Sequence, residues 1–179
     1  MRRNFTLILI GILGLVSIGV FVTFSYFART GFHERRDISR ANLITMARAL
    51  KTYALDNNNQ FPYDPHVLTD KYGCDGNTFI NPSWPDACGY MYVSGFNPMI
   101  ESTGTTLWQD TILLFENVPE SKQKLGRLVA TLDGEIHLWH EELFQKRLAQ
   151  QKNLSETQGR RWRIVALIAS KGEMIDDQH

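Results

Sequence analysis

The residues best suited to chemistry in this sequence lie between Asp133 and Glu142. His137 and His140 stand three apart, Glu141 and Glu142 follow at once, and Asp133 precedes them. Two imidazoles and a carboxylate form a ligand set that zinc accepts. The spacing works against it, because residues i and i+3 of a strand project from opposite faces and His137 sits in a strand-like stretch. The pair reads as surface decoration. Asp75, Asp86 and Asp133 carry oxygens of the kind calcium takes, but no dense D-x-D-x-D loop gathers them. Trp84, Trp108, Trp139 and Trp162 could line a ligand groove, although core and hairpin packing is the commoner use of such rings. No G-x-S-x-G, glycine-rich phosphate loop or Cys–His pair in a strand–turn–helix setting occurs. Catalysis needs an acid or base beside a positioned nucleophile, and no such set can be named. The expectation is a protein that is not an enzyme and uses no cofactor or metal.

Cys74 and Cys88 are spaced C-x13-C in a polar, turn-rich stretch. That spacing fits no compact zinc pattern, and no second pair completes four ligands. Outside the cytoplasm the two are expected to join. A loop of about 15 residues closed in this way stabilises a fold by roughly 3 kcal/mol through the unfolded state. The alternative is two unrelated thiols. Compartment decides.

The N-terminal segment bears on the compartment. Phe5 to Ala28 contains no charged residue. At about 1.5 Å per residue it spans roughly 36 Å, enough for a hydrocarbon core of about 30 Å. It is too long for a cleavable signal peptide, and Ser25-Tyr26-Phe27-Ala28 is a poor cleavage site. It reads as a membrane anchor. Arg2 and Arg3 flank one end, and Arg29, Arg35, Arg36 and Arg40 flank the other, so charge counting alone leaves the orientation open. Arg2-Arg3-Asn4-Phe5 also resembles a twin-arginine export signal, which normally continues into a less hydrophobic, cleavable segment.

The elements that follow must form the body of the protein. At 179 residues there is room for one domain besides the anchor. Gly31 permits a bend, the helical pattern then resumes with Asp37 or Ser39 as a start signal, and the hydrophobic helix continues as an amphipathic one. Leu43, Met46, Ala47, Leu50, Tyr53 and Ala54 then recur on one face, until Asp56-Asn57-Asn58-Asn59 turns the chain. Strands are predicted at Tyr90 to Val93, Thr111 to Phe115, Arg127 to Leu132 and Glu135 to Trp139. Asp133-Gly134 predicts a two-residue type I′ hairpin between the last two. Glu141 to Gln151 reads as a short helix, and Trp162 to Ala169 as a strand or a helical turn. The fold class is α+β, with a long transmembrane-to-amphipathic helix packed on a small antiparallel sheet. The predicted organisation is a cytoplasmic tail at 1–4, a transmembrane helix at 5–28, a globular domain at 29–152, and an extension at 153–179 whose structure is open. Nineteen Lys and Arg balance nineteen Asp and Glu, which leaves no electrostatic footprint for nucleic acid.

These pieces, in this order, resemble the type IV pilins and type II secretion pseudopilins. The basic-then-apolar start Arg2 to Gly14 carries the family's Phe5-Thr6-Leu7-Ile8 core. Ala41-Asn42-Leu43 through Asn57, with Phe61-Pro62, is similar to the helix exit of the pilin-like group with an H-x9-DG signature. Cys88 to Gly95 and Val129 to Ile136 resemble that group's later strands. The resemblance is spread over most of residues 1–150. It implies a pilin-like fold, a domain outside the cytoplasm at the inner membrane, and a structural role in a secretion or pilus-type assembly. Partners would then be the membrane and pilin-like subunits or secretion machinery, in homo- or hetero-oligomers. A membrane-tethered binding module on a pilin scaffold that does not polymerise is the alternative.

The motif is degenerate at three positions. Asn4 stands where the family's processing peptidase expects a small residue, Leu9 where the motif has Glu, and Gln123 where the signature His would be. A peptidase pocket shaped around Gly would have to bury the Asn amide unmatched, at roughly 1–3 kcal/mol. The mature chain is therefore expected to keep the Asn4–Phe5 bond, as intact mass and N-terminal sequencing would read. A chain beginning at Phe5, above all with a methylated amine, would show that the peptidase accepts Asn4.

Overall fold

Helix α1 runs from Arg2 to Asp56 without interruption in a computed structural model that describes residues 2–84, 89–94, 111–157 and 162–167. The stretch contains no proline, the one residue that would both remove a helical donor and clash with the preceding turn. The helix continues through Gly31, Asp37 and Ser39, as expected of a hydrophobic helix that runs on as an amphipathic one, and no separate helix starts at Asp37 or Ser39. A glycine inside a helix costs only about 1 kcal/mol, less than renucleating a second helix beyond it.

The chain forms two compact units, Met1–Asp37 and Ile38–His179. In the first, large apolar side chains such as Leu15, Phe21, Phe24 and Phe27 are exposed, and the helix is long and apolar enough to cross a membrane. Its hydroxyls turn back onto its own backbone. Ser17 Oγ donates to Leu13 O at 2.9 Å, Thr23 Oγ1 to Gly19 O at 2.9 Å and Ser25 Oγ to Phe21 O at 2.8 Å.

In the second unit the amphipathic part of α1 buries Leu43, Met46, Ala47, Leu50 and Ala54, as the periodicity predicts, with Tyr53 packed partly buried against them. The helix ends where the asparagines begin. Asn58 and Asn59 take positive φ (55° and 58°), a conformation Asn tolerates better than most residues, and Asn57 Nδ2 donates to Tyr53 O at 2.8 Å. Short helical turns follow at Pro65–Val67, α2 (Leu68–Lys71) and Gly76–Phe79.

Five antiparallel strands make the sheet: β1 (Tyr90–Ser94), β2 (Ile112–Glu116), β3 (Arg127–Thr131), β4 (Ile136–Trp139) and β5 (Arg163–Leu167). Their order is β4-β3-β2-β1-β5. The first four agree with the predicted strands to within a residue at each end. Of the segment left open, 153–157 complete helix α3 (Glu141–Thr157) and Arg163–Leu167 form the fifth strand, which pairs with β1 from Tyr90↔Leu167 to Ser94↔Arg163.

Both faces of the sheet are covered. Tyr90, Tyr92, Leu114, Leu128, Ala130, Val165 and Leu167 pack with the apolar face of α1. Val93, Ile112, Phe115, Val129 and Trp139 pack with Phe144 of α3, whose ring lies 4.8 Å from that of Phe115. A register shift between Ile112 and Leu114 turns Ile112 to the α3 side. Helix on sheet is thus extended to helix, sheet and helix.

The β3–β4 hairpin falls where Asp133-Gly134 predicts it, but its loop has three residues. Thr131 N donates to Glu135 O, and Gly134 N to Thr131 O, which leaves Leu132, Asp133 and Gly134 in the loop. A type I′ turn needs positive φ at two residues; here Gly134 alone has it, at 96°. The Asp133 carboxylate favours the larger loop by accepting from Thr131 Oγ1 at 2.6 Å and Glu135 N at 3.1 Å.

Candidate functional site

The densest polar cluster lies inside the domain, at the end of an otherwise apolar strand. Glu116 closes β2 and is 0% exposed. Its Oε1 accepts from Ser39 Oγ at 2.6 Å and Asn81 Nδ2 at 3.1 Å, and its Oε2 accepts from Leu128 N at 2.9 Å. A buried carboxyl group without partners costs several kcal/mol, and here three donors meet its two oxygens. The cluster extends to Tyr90, whose hydroxyl donates to Ser39 Oγ at 3.0 Å and accepts from Asn42 Nδ2 at 3.4 Å. Helix α1, the loop at Asn81 and strands β1, β2 and β3 therefore meet at one carboxylate.

A hydroxyl donating to a carboxylate is also the first half of a nucleophile–base set. Ser39, Glu116 and Tyr90 are all 0% exposed, so this conformation offers no path for a substrate atom. The arrangement can hold elements together.

A second polar contact fixes α3. Arg127, 5% exposed, donates from Nε and Nη2 to the two oxygens of Glu141 at 3.0 and 2.8 Å, and from Nη1 to Glu116 O at 3.1 Å. Its guanidinium lies 4.1 Å from the centre of the Phe144 ring. Further along α3, Gln151 accepts from Ile112 N at 2.9 Å and donates to Ile112 O at 2.8 Å, pairing as a strand would beside the register shift.

The surface feature nearest these is a groove of about 400 Å³ between α1 and the β3–β4 loop, lined by Arg40, Arg48, Lys51, Asp133, Gly134 and Glu135 among others. Lys51 Nζ donates to Asp133 O, and Arg40 Nη2 to Ile136 O at 3.1 Å. The α1 wall carries the cations Arg40, Arg48 and Lys51 and the loop wall the acidic residues Asp133 and Glu135, so both signs line the groove.

Several of the residues singled out from sequence have structural partners, although the buried Nε2 of His137 and Nε1 of Trp162 have no hydrogen-bond partner among the described residues. Glu141 binds Arg127, and His137 stacks on Trp139 with centroids 5.9 Å apart. Asp75 caps the turn Gly76–Phe79 by accepting from Thr78 N and Oγ1, both at 2.8 Å. The hydroxyl bond above all, with the backbone bonds, holds that carboxyl below its ordinary range. Gln123 lies in a short 3-10 helix, Glu120–Leu125, half-buried. Among the described residues no group of three or more His, Cys, Asp or Glu is placed to hold a metal ion. Trp139 is buried, Trp162 and Trp84 are half-buried, and Trp108 and Asp86 lie outside the described residues. Asn4 to Leu9 form part of α1. Cys74 is a buried free thiol, pushed up to about 11 by burial and the neighbouring Asp75 charge; Cys88, its expected partner, lies outside the described residues. Sequence reading missed Glu116, Ser39, Asn81, Arg127 and Gln151. The signal available was a strand, Ile112-Leu113-Leu114-Phe115-Glu116, whose apolar run ends on a charge.

No protein-family model, curated protein or solved structure matches this chain.

Glu116→Gln keeps the shape of the side chain but turns an NH2 group towards a donor. It should cost about 1–3 kcal/mol and lower Tm by roughly 3–10 °C, and adding Ser39→Ala should cost less than its effect alone. Equal melting of wild type and Glu116→Gln would remove the carboxylate from this role.

Burial pushes the Tyr90 hydroxyl up to about 12, against the bonds to Ser39 and Asn42 that lower it, and burial raises Tyr92 further. A folded-state pKa above the unfolded one gives stability that is full below the unfolded value and lost as pH rises through the folded one. Denaturation midpoints should therefore hold below about pH 10 and fall between about 10 and 12, with the buried tyrosines ionising only on unfolding. Full tyrosinate absorbance from an intact fold would contradict this.

Proposed function

We propose that this chain is a single-pass, membrane-anchored, pilin-like or pseudopilin-like structural subunit of a secretion or pilus-type assembly, with its domain outside the cytoplasm at the inner membrane. The observation that carries the reading is α1 itself. Its first part exposes an uncharged apolar surface with its hydroxyls bonded inside the helix, and its last part is the core helix of an antiparallel sheet. In hydrocarbon every polar group must find its partner within the segment, which those back-bonded hydroxyls achieve. The ordered resemblance of Phe5-Thr6-Leu7-Ile8, the helix exit near Phe61-Pro62 and the strands near Asp133-Gly134 to the pilin-like proteins supports the family. The role is structural, not catalytic, and its partners are the membrane and other pilin-like subunits.

Leu9, in place of the motif's Glu, favours the second reading, a tethered module that does not polymerise. A carboxylate at that depth costs a few kcal/mol unless paired, so its loss removes both a cost and a contact that sets subunit register. In either case Cys74 and Cys88 would join in an oxidising compartment.

The full-length protein should fractionate with membranes, resist alkaline carbonate and expose its domain to protease only from outside the cytoplasm. The same membranes, alkylated before reduction, should yield a joined Cys74–Cys88 peptide. A full-length product in the soluble fraction would end the anchored reading, and two alkylated thiols would end the pairing. Crosslinked ladders of this chain would separate the polymerising subunit from the tethered module.

A further inference from the structure

We propose that the solvent-facing stripe of α1 formed by Ile38, Ala41, Thr45, Arg48, Thr52 and Leu55 is a docking seam for the α1 helix of a second copy of this chain, set parallel and offset by fourteen residues. The inference rests on the polymerising form of the reading above. It adds which face meets the neighbour, and at what offset.

The stripe has the spacing of a coiled-coil seam. Ile38, Thr45 and Thr52 recur every seven residues, and Ala41, Arg48 and Leu55 recur three positions later. All six are exposed, Leu55 at 76%, while Leu43, Met46, Ala47 and Leu50 on the other side of the helix are buried. The hydroxyls of the stripe are already used. Thr45 Oγ1 donates to Ala41 O and Thr52 Oγ1 to Arg48 O, each at 3.0 Å. The group left over is the Arg48 guanidinium. The residues three and four away from it, Ile44, Thr45, Lys51 and Thr52, include no carboxylate. Among the described residues it forms no ion pair, with Asp133 and Glu135 across the groove or with any other carboxylate.

Fourteen residues earlier on α1 stands the converse case. Glu34 is exposed, and Thr30, Gly31, Asp37 and Ile38, its neighbours at helical spacing, include no cation. Asp37 differs, with His33 and Arg40 at that spacing on its own helix. Copies anchored in one membrane from the same side bring their helices together parallel. In register, Arg48 would face Arg48, and like charges across a seam are costly. A shift of one heptad would set each Arg48 against Ala41 or Leu55. A shift of two heptads sets Glu34 of one copy against Arg48 of the other, with Gly31 opposite Thr45 and Phe27 opposite Ala41, so that small residues meet larger ones. The offset is about 21 Å along the axis, and the drift of about 40° over two heptads is what a left-handed supercoil absorbs. One copy is then raised along its neighbour, so the contact belongs to the assembled state.

The test is photocrosslinking of the full-length protein in intact cells, with benzoylphenylalanine in place of Thr45 and the landing residue mapped by mass spectrometry. The crosslink should land between residues 28 and 35 of a second copy. E34R and R48E should each lower its yield by about fivefold or more, the combined E34R/R48E should restore it to within about twofold, and D37N should keep it. Landing near residue 45 of the second copy, or on another protein, would overturn the proposal. So would a yield unchanged in R48E, lost in D37N or not recovered in E34R/R48E. The same probe in place of Phe21 separates this inference from the reading beneath it. Copy-to-copy crosslinks from Phe21 with none from Thr45 refute the seam alone, and none from either position refutes the assembly and the seam together.

Discussion

One carboxylate organises the domain. Glu116 stands on a strand whose every residue is buried, where a charge is tolerated only if its oxygens are met by donors. The donors come from places far apart in sequence: Ser39 on α1, Asn81 in the loop before β1, and the backbone of Leu128 on β3. Apolar packing of α1 against the sheet is non-directional and would tolerate a slide of the helix along its axis. A 2.6 Å bond from Ser39 to a fixed carboxylate would not. The hydrophobic face of α1 supplies attraction, and Glu116 supplies register.

The same division recurs on the other side of the sheet. Phe144, Phe115 and Trp139 bring α3 down onto the strands, and Arg127 and Gln151 set where it stops. Arg127 joins the two polar systems, since it binds Glu141 through its side chain and Glu116 through the backbone oxygen. Arg127 is buried and Glu141 half-buried, so removing Glu141 would leave the guanidinium inside the fold without its ion-pair partner, the costlier way to break such a contact. Damage at β2 would therefore be felt by both covering helices.

Much of this architecture was legible because it follows from local pattern. Leu43, Met46, Ala47 and Leu50 repeat at helical spacing, and a core helix results. Tyr90 to Val93 and Arg127 to Leu132 carry strand residues, and strands result. What was not legible depended on contacts between distant segments. Gly31 and Asp37 look like punctuation in isolation, but helix propagation overrides them. Arg163–Leu167 is apolar enough for either state, and becomes a strand because β1 offers an edge. Asp133-Gly134 announces a turn, but the Asp133 carboxylate settles on Thr131 and Glu135 and sets the loop at three residues. Glu116 could be located from its strand; its partners Ser39 and Asn81 could not, because nothing local marks a hydroxyl or an amide as the donor to a residue 77 or 35 positions away.

Among the described residues, side chains with the chemistry of a site are largely used within the fold. Asp75 caps a turn, Asp133 shapes a loop, Glu141 holds Arg127, and the Ser39–Glu116–Tyr90 set is sealed from solvent. A catalytic or metal site instead needs such groups converging on an accessible space with capacity left over. The groove beside the β3–β4 loop has the space, but Lys51 and Arg40 already donate to backbone carbonyls there. What these residues leave for interaction is surface, and the most extensive apolar surface is that of α1 before Asp37. Exposed apolar surface of that extent is a burden in water and an association surface in lipid. It therefore marks the first part of α1 as a segment suited to apolar surroundings.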